Sequence, residues 1–290
     1  TDHNPLRATI VHEEPRTIRS RPKGKVVWDS KIELLGWDLP HQDITQPFGT
    51  VEPVDAVVHL AAIGSPPLCD RDPAAAFGVN VQGTHNVLKL AVAAGAKRLV
   101  FASTAHAYGV SPLYLPSDER APLSVFDVYT TTKILGERLC DLFWENYGLS
   151  YCAIRLFNGY GPGQQLGYLI PDKIQQAEKG PVELRGAGIT KDFVYIDDVV
   201  RAYQLAMEVA FVGGINIGTG VETDLASIAR IIAKAFKTEL ICVPADRPTR
   251  MQADIQRAET VLGWHPTVSI EEGLNRVIEV AMRTVPKVTQ

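Results

Sequence analysis

The stretch that decides the fold is Asp127-Val-Tyr129-Thr-Thr-Thr-Lys133-Ile-Leu-Gly-Glu137-Arg-Leu-Cys-Asp-Leu-Phe-Trp-Glu-Asn-Tyr147, followed by Gly148. Ile134, Leu135, Leu139, Leu142 and Phe143 recur at helical spacing, and the glycine after Tyr147 is a helix stop, so 127–147 reads as one long amphipathic helix. Tyr129 and Lys133 then lie on one face, a turn apart. An ammonium beside a phenol favours the phenolate and draws a tyrosine down from its ordinary pKa of about 10. Such a tyrosine serves as general base toward a substrate hydroxyl. The same pair occurs by chance in many helices, so its meaning rests on what surrounds it.

Outward from that helix, short apolar runs alternate with longer helix-periodic segments. Residues 56–60 read as a buried strand, and 74–94 as a helix with Val79, Val87, Leu88 and Ala91 on one face and Gly95 to stop it. Strands are expected at 98–102 and 151–156, and 194–207 runs from a strand into a helix. Beyond Gly220 come a helix at 226–236, a short strand at 240–243 and a closing helix from Ile270. This order is the signature of βαβ units and a mainly parallel sheet. With 46% hydrophobic and 21% charged residues in a chain of 290, a large buried core is expected. The net charge of -4 and the lack of a long basic run argue against nucleic acid as the main partner. No apolar run reaches the ~20 residues of a membrane span, and the opening Thr-Asp-His-Asn-Pro is no signal peptide. Cys69, Cys140, Cys152 and Cys242 are widely spaced, which suggests neither a zinc site nor a disulfide framework. A cytoplasmic protein with no metal is expected.

Upstream of Tyr129 stands Phe101-Ala-Ser103-Thr104-Ala-His106-Ala-Tyr108-Gly109, a strand running into a small-residue turn. Groups at the C-terminal end of a strand are where an open α/β sheet meets its ligand, although a plain Ser/Thr turn reads the same way. Further landmarks follow in order: His59-Leu-Ala-Ala62, Asn80-Val-Gln-Gly-Thr84, Arg155-Leu-Phe-Asn158 with Tyr160-Gly-Pro162, Lys191-Asp-Phe-Val-Tyr-Ile-Asp-Asp198, Asn216-Ile-Gly-Thr-Gly220, and Asp254 leading into Leu262-Gly-Trp-His-Pro266. The series, from about Val54 to the C-terminus, resembles the extended short-chain dehydrogenases/reductases of the NAD-dependent epimerase/dehydratase group.

That resemblance implies an α/β, Rossmann-like doubly wound parallel sheet with a smaller C-terminal α/β substrate lobe. The dinucleotide-binding domain would comprise 1–162 plus about 191–219, and the lobe 163–190 plus 220–290. It further implies NAD as cofactor and a nucleotide sugar as substrate. Tyr129 would be the catalytic base, Lys133 would bind the nicotinamide ribose and tune Tyr129, and Thr104 would hydrogen-bond the reacting sugar oxygen. Leu60, Ala61 and Ala62 would line the cofactor, Asn80 and Ser103 would hold its side of the site, and Phe157 would lie near the nicotinamide. Asn158 would face the substrate diphosphate. Core packing is the alternative for the Leu-Ala-Ala run and for Phe157. A homodimer is expected by resemblance alone.

The family normally opens with a strand, a G-x-x-G-x-x-G turn and a helix whose N-terminus binds pyrophosphate. None is present: Gly24 is the sole glycine before Gly36, and 8–12 resembles at best a second strand. Either the sequence begins after that unit, or the protein lacks it. Loss of a mid-sheet strand would leave neighbouring edges unpaired, which favours the first. For the adenosine half, Asp38 and Leu39 fit the spacing of the acid before His59 better than Asp43-Ile44. Glu13 or Glu14 at the end of a second strand would favour NAD over NADP. Gly214-Ile-Asn-Ile-Gly218-Thr-Gly220 imitates a dinucleotide fingerprint, but falls at the family's Asn-x-Gly-x-Gly segment and reads as a structural turn.

The family's dehydratases place Asp-Glu directly after the catalytic Thr. Ala105 and His106 stand there instead, so dehydration by that route is disfavoured, while His106 remains either a substrate-side acid/base or a surface-turn histidine. Transient oxidation and hydride return need little beyond Tyr129 and Thr104, so 4-epimerisation is the first expectation. A 4-keto-sugar reductase, a dehydratase and a non-catalytic binding protein are the alternatives. Lys191 replaces the family's usual Arg and loses the bidentate fork. Arg247 and Arg250 occupy the region expected to hold the diphosphate, in an altered Asp246-Arg-Pro-Thr-Arg250 context.

Overall fold

The computed structural model describes residues 8–11, 32–35 and 53–284. These elements run in the order β1 (Ala8–Val11), β2 (Ile32–Leu35), β3 (Ala56–His59), α1 (Pro66–Arg71), α2 (Pro73–Phe77), α3 (Gly83–Ala93), β4 (Arg98–Thr104), α4 (Val128–Tyr147), β5 (Ser150–Leu156) and β6 (Asn158–Tyr160). They continue with α5 (Leu169–Ala177), β7 (Val182–Ala187), β8 (Thr190–Tyr195), α6 (Ile196–Glu208), β9 (Gly213–Ile217), β10 (Glu222–Asp224), α7 (Leu225–Ala235), β11 (Leu240–Pro244) and α8 (Ile270–Thr284). Asp38 and Leu39, with Asp43-Ile44, Glu13 and Glu14, lie outside the described residues. The chain divides into two compact units: residues up to Phe101 with Asp127–Tyr151, and Ala102–Phe126 with Cys152 onward.

In the first unit β3 pairs with β4 in parallel, from Ala56 opposite Arg98 to His59 opposite Phe101. Along β4 all residues but Ala102 are buried, the continuous pattern of a parallel strand covered on both faces. Helices α1, α2 and α3 pack against α4. The expected helix over 74–94 is present but not uniform: Gly78–Gln82 forms a π-helical turn between α2 and α3. That widened turn holds Asn80 inward at 2% exposure, a distortion typical of functional positions. Helix α4 starts where Asp127 caps it, its carboxylate accepting from the Thr130 N–H at 2.6 Å. It ends at Gly148, whose φ of 68° is the left-handed geometry a C-terminal glycine supplies. Gly136 faces Phe101 so closely that a Cβ there would lie 2.4 Å from the ring, so only glycine lets α4 approach β4 this far.

In the second unit β5 and β9 pair in parallel, from Cys152 opposite Gly213 to Leu156 opposite Ile217. A three-stranded sheet orders β10, β8 and β6, and β7 pairs in parallel with β11. Helix α7 buries Leu225, Ala226, Ile228, Ala229, Ile232 and Ala233, an amphipathic stripe packed with Val182, Leu184, Phe193 and Leu274 into one core. The glycine-rich imitation of a phosphate loop is a turn after β9. Its Thr219 and Gly220 N–H groups donate to the fully buried Asp192 carboxylate at 2.6 and 2.8 Å. The amides that would cradle a phosphate are thus occupied by the protein's own anion.

Candidate active site

Strand β3 delivers His59 into the first unit's interior and Leu60, 60% exposed, onto its rim, with Ala61 and Ala62 half-buried after it. The His59 Nε2 lies 2.9 Å from Thr84 Oγ1, whose own hydrogen goes to the Asn80 carbonyl at 2.6 Å. Thr84 therefore accepts, and His59 carries its proton on Nε2. Burial, then the nearby Lys133 charge, push His59 down to about 3, so the imidazole is neutral and acts as a fixed donor.

Asn80 joins two segments. Its Oδ1 accepts from the Ile63 N–H at 2.8 Å, and its Nδ2 donates to the Ile63 carbonyl at 3.1 Å and to Thr132 Oγ1 at 3.0 Å. Thr132 in turn donates to the Tyr129 carbonyl at 2.8 Å. On α4, Tyr129 is half-buried and Lys133 is 4% exposed. The Lys133 ammonium stands 5.2 Å from the Phe101 ring centre and 5.9 Å from that of Tyr129, within cation–π range of both. Burial pushes Lys133 down to about 8, and Cys69 raises it slightly in opposition.

The second unit carries the remaining residues. Ser103 and Thr104 are buried at the end of β4, and Thr104 Oγ1 accepts from the His106 N–H at 3.2 Å, capping the short turn Ala105–Tyr108. His106 is half-buried. Tyr108 donates to Asn216 Oδ1 at 2.6 Å and accepts from Arg155 at 3.1 Å, and its ring lies 6.3 Å from that of the buried Phe157. Asn158 on β6 donates to the Asp192 carbonyl of β8 at 2.9 Å. Lys191 is half-buried and pushed down by that burial, and its side chain makes no hydrogen bond or ion pair among the described residues.

The two arginines expected at the diphosphate are placed differently. Arg247 is exposed. Arg250 forms a two-pronged ion pair with Glu222, Nε to Oε1 at 2.9 Å and Nη2 to Oε2, while Thr190 donates to the same carboxylate at 2.5 Å. A cavity of about 270 Å³ between α5 and β7 has an apolar floor of Leu169, Leu184 and Leu225 and a polar wall that includes Asp172, Gln176 and Glu183. None of those residues was marked by sequence. The same is true of Phe101 as the seat of Lys133, and of Thr132, whose partner Asn80 lies 52 residues away.

A parallel β/α framework, small residues at the strand end and a helix with tyrosine and buried lysine on one face define an enzyme of the short-chain dehydrogenase/reductase type. The chain belongs to the NAD dependent epimerase/dehydratase family, whose profile matches residues 8–218. The UDP-glucose 4-epimerase of Thermotoga maritima, solved with UDP-glucose, is 31% identical with a TM-score of 0.75, covering 79% of this chain and 78% of that one. The Thermus thermophilus UDP-glucose 4-epimerase, solved with NAD, is 28% identical with a TM-score of 0.73 over 80% and 79% of the two chains. UDP-glucuronic acid decarboxylase 6 of Arabidopsis thaliana is 32% identical over 265 residues, 84% of this chain and 76% of its own.

Proposed function

We propose that the chain is an NAD-dependent nucleotide-sugar epimerase acting by transient oxidation at a sugar hydroxyl, with 4-epimerisation its reaction. The observation that carries this reading is the pair on α4: Tyr129 beside a Lys133 ammonium that is buried and seated over Phe101. Relatives solved with UDP-glucose and with NAD support the substrate and cofactor classes.

The residues suit a dinucleotide. Leu60 opens onto solvent at the end of a strand whose His59 is buried, and Ala61 and Ala62 leave the backbone approachable. A desolvated ammonium gains from ribose hydroxyls what it lost in water. In this reading Lys133, Leu60, Ala61, Ala62, Asn80, Ser103 and Phe157 hold the cofactor, with Asp38 and Leu39 assigned to its adenosine end. Bound there, NAD supplies the acceptor and donor of hydride. Tyr129 takes and returns the hydroxyl proton. Thr104 Oγ1 accepts from the His106 N–H, and in this reading its own O–H donates to the reacting oxygen. Ala105 and His106 bring no carboxylate to that turn, so the dehydratase route lacks its acid and base.

Asn158 and Lys191 serve the diphosphate, Lys191 being a half-buried cation that an anion would complete; Arg247, Arg250 and His106 are secondary contacts. The dinucleotide-binding domain comprises 1–162 and about 191–219, and the substrate lobe the rest. A homodimer through α4 is part of the proposal, supported by Leu135 and Leu142, exposed seven residues apart on one side of the helix. A cytoplasmic location is supported by Cys69, Cys140 and Cys242, all thiols.

The test is turnover of UDP-glucose and UDP-glucuronate by the purified chain supplied with NAD, with Tyr129→Phe alongside. Epimer should form, and the variant should lose about 10³-fold in kcat with its fold intact. Unchanged turnover in the variant removes Tyr129 as the base, and release of carbon dioxide from UDP-glucuronate in place of an epimer moves the chain to the decarboxylase reading.

A further inference from the structure

Thr132 is fully buried on α4, one residue before Lys133, with no part in the reading above. A buried helical threonine ordinarily donates back to a carbonyl three or four residues earlier and needs nothing more. This one does so, to Tyr129, and its oxygen also receives a hydrogen bond from Asn80, 52 residues away. The same Asn80 amide grips both polar groups of the Ile63 backbone, at the end of the Leu60–Ala62 rim. Asn80 is itself held from below, because its carbonyl accepts from Thr84, which His59 anchors. Every bond in this chain has a defined direction, from neutral His59 through Thr84 and Asn80 to Thr132 and the Tyr129 carbonyl.

We infer that Thr132 is a positioning residue: with Asn80 it forms a hydrogen-bonded strut that sets the rim at Ile63 against the α4 turn bearing Tyr129 and Lys133. The inference rests on the proposed function for its catalytic consequence, but the strut itself is measurable without activity. Thr132 touches neither substrate nor cofactor in this reading. Its loss therefore acts on the alignment of Tyr129, to which a displacement of about 1 Å can cost 10²-fold in rate.

Thr132→Val keeps the shape and removes the hydroxyl, Thr132→Ser keeps the hydroxyl, and Thr132→Ala covers the case in which valine unsettles the fold. The expected result for valine or alanine is a kcat lower by about 30-fold with KM within about 3-fold, and for serine a kcat within about 3-fold of the parent. Equal kcat in the valine and serine variants overturns the inference. The second readout is hydrogen exchange at the Ile63 amide, which donates to Asn80: exchange should accelerate about 10-fold without the hydroxyl and stay near the parent rate in serine. Should the parent chain turn over no nucleotide sugar, the functional reading fails while this exchange comparison still decides the strut. Unaltered exchange at Ile63 would overturn it.

Discussion

The two units handle their charged side chains on opposite principles. Around Lys133 the first unit surrounds one buried cation with neutral groups: the Phe101 ring, an uncharged His59, and the Asn80–Thr132 hydrogen bonds. Elsewhere, in the second unit, anions are matched to cations and backbone donors. Asp192 fills the glycine turn, Glu222 holds Arg250, and Glu119 pairs with Arg257 while accepting from the Asn216 amide. The first arrangement spends folding energy to keep a charge poised. The second uses charge to fix loops and leaves little of it available to a ligand.

The largest expected effect comes from erasing the poised charge. Lys133→Met should abolish turnover and weaken dinucleotide binding, yet stabilise the ligand-free fold by up to about 3 kcal/mol, the equivalent of lowering a lysine from 10.5 to about 8. The pH dependence has a definite sign. Between pH 8 and 10.5 the unfolded chain binds the Lys133 proton more tightly than the folded one, so parental stability rises with pH across that window. The methionine variant lacks this rise, so its advantage, measured by denaturant unfolding, should shrink from pH 8 to 10.5. His59, Cys69 and Tyr129 remain in both proteins. A variant less stable than the parent, or a gap constant with pH, would show that Lys133 is not held at a cost.

How far the sequence could be read follows the same division. Tyr129 and Lys133 were legible because their relation is local: a helical period places both on one face, and Gly148 marks where the helix stops. The strands at 56–60, 98–102 and 151–156 were legible because buried parallel strands are continuous apolar runs, and observation shifts their ends by one or two residues. The π-helical turn at Asn80 was not, since a one-residue widening leaves hydrophobic periodicity almost unchanged. The seat of Lys133 needed Phe101 and Gly136 to meet, a contact that no spacing rule marks. In the second unit, β6, α5, β7 and β10 are short elements whose burial is decided by one another. Whether Arg250 is available depends on Glu222, 28 residues away on β10, and type and position carry no trace of that pairing. The glycine turn shows the same limit in reverse: its resemblance to a phosphate loop is cancelled by Asp192, 27 residues upstream of Thr219.

A middle-sized effect is expected at Asp192. Its carboxylate accepts from the Thr219 N–H and hydroxyl on one oxygen, and from the Gly220 and Ala253 N–H groups on the other. Asp192→Asn keeps one acceptor and turns an NH₂ toward donors, which should cost about 2–4 kcal/mol in thermal or denaturant unfolding. If charge in this unit serves architecture, the loss appears as stability and as a raised KM, with kcat at saturating substrate little changed. An asparagine variant as stable as the parent would mean that the turn holds without its anion, and the contrast between the two units would weaken.

The smallest effect tests whether the second unit withholds charge from its ligand. Glu222→Gln removes the carboxylate that Arg250 grips while keeping an oxygen for the Thr190 hydroxyl. The pair is largely solvent-facing on the arginine side, so stability should barely move. A released Arg250 should lower KM for a diphosphate-bearing substrate by about 2- to 5-fold, and the gain should fade as salt is raised, because an exposed cation acting on an anion is screened over about 10 Å at 0.1 M salt. Initial rates at two ionic strengths suffice. A KM that fails to fall would place Arg250 out of reach of the ligand, with Lys191 and the exposed Arg247 as the remaining cations proposed for the diphosphate. A fall independent of salt would trace the change to packing around Thr190 rather than to freed charge.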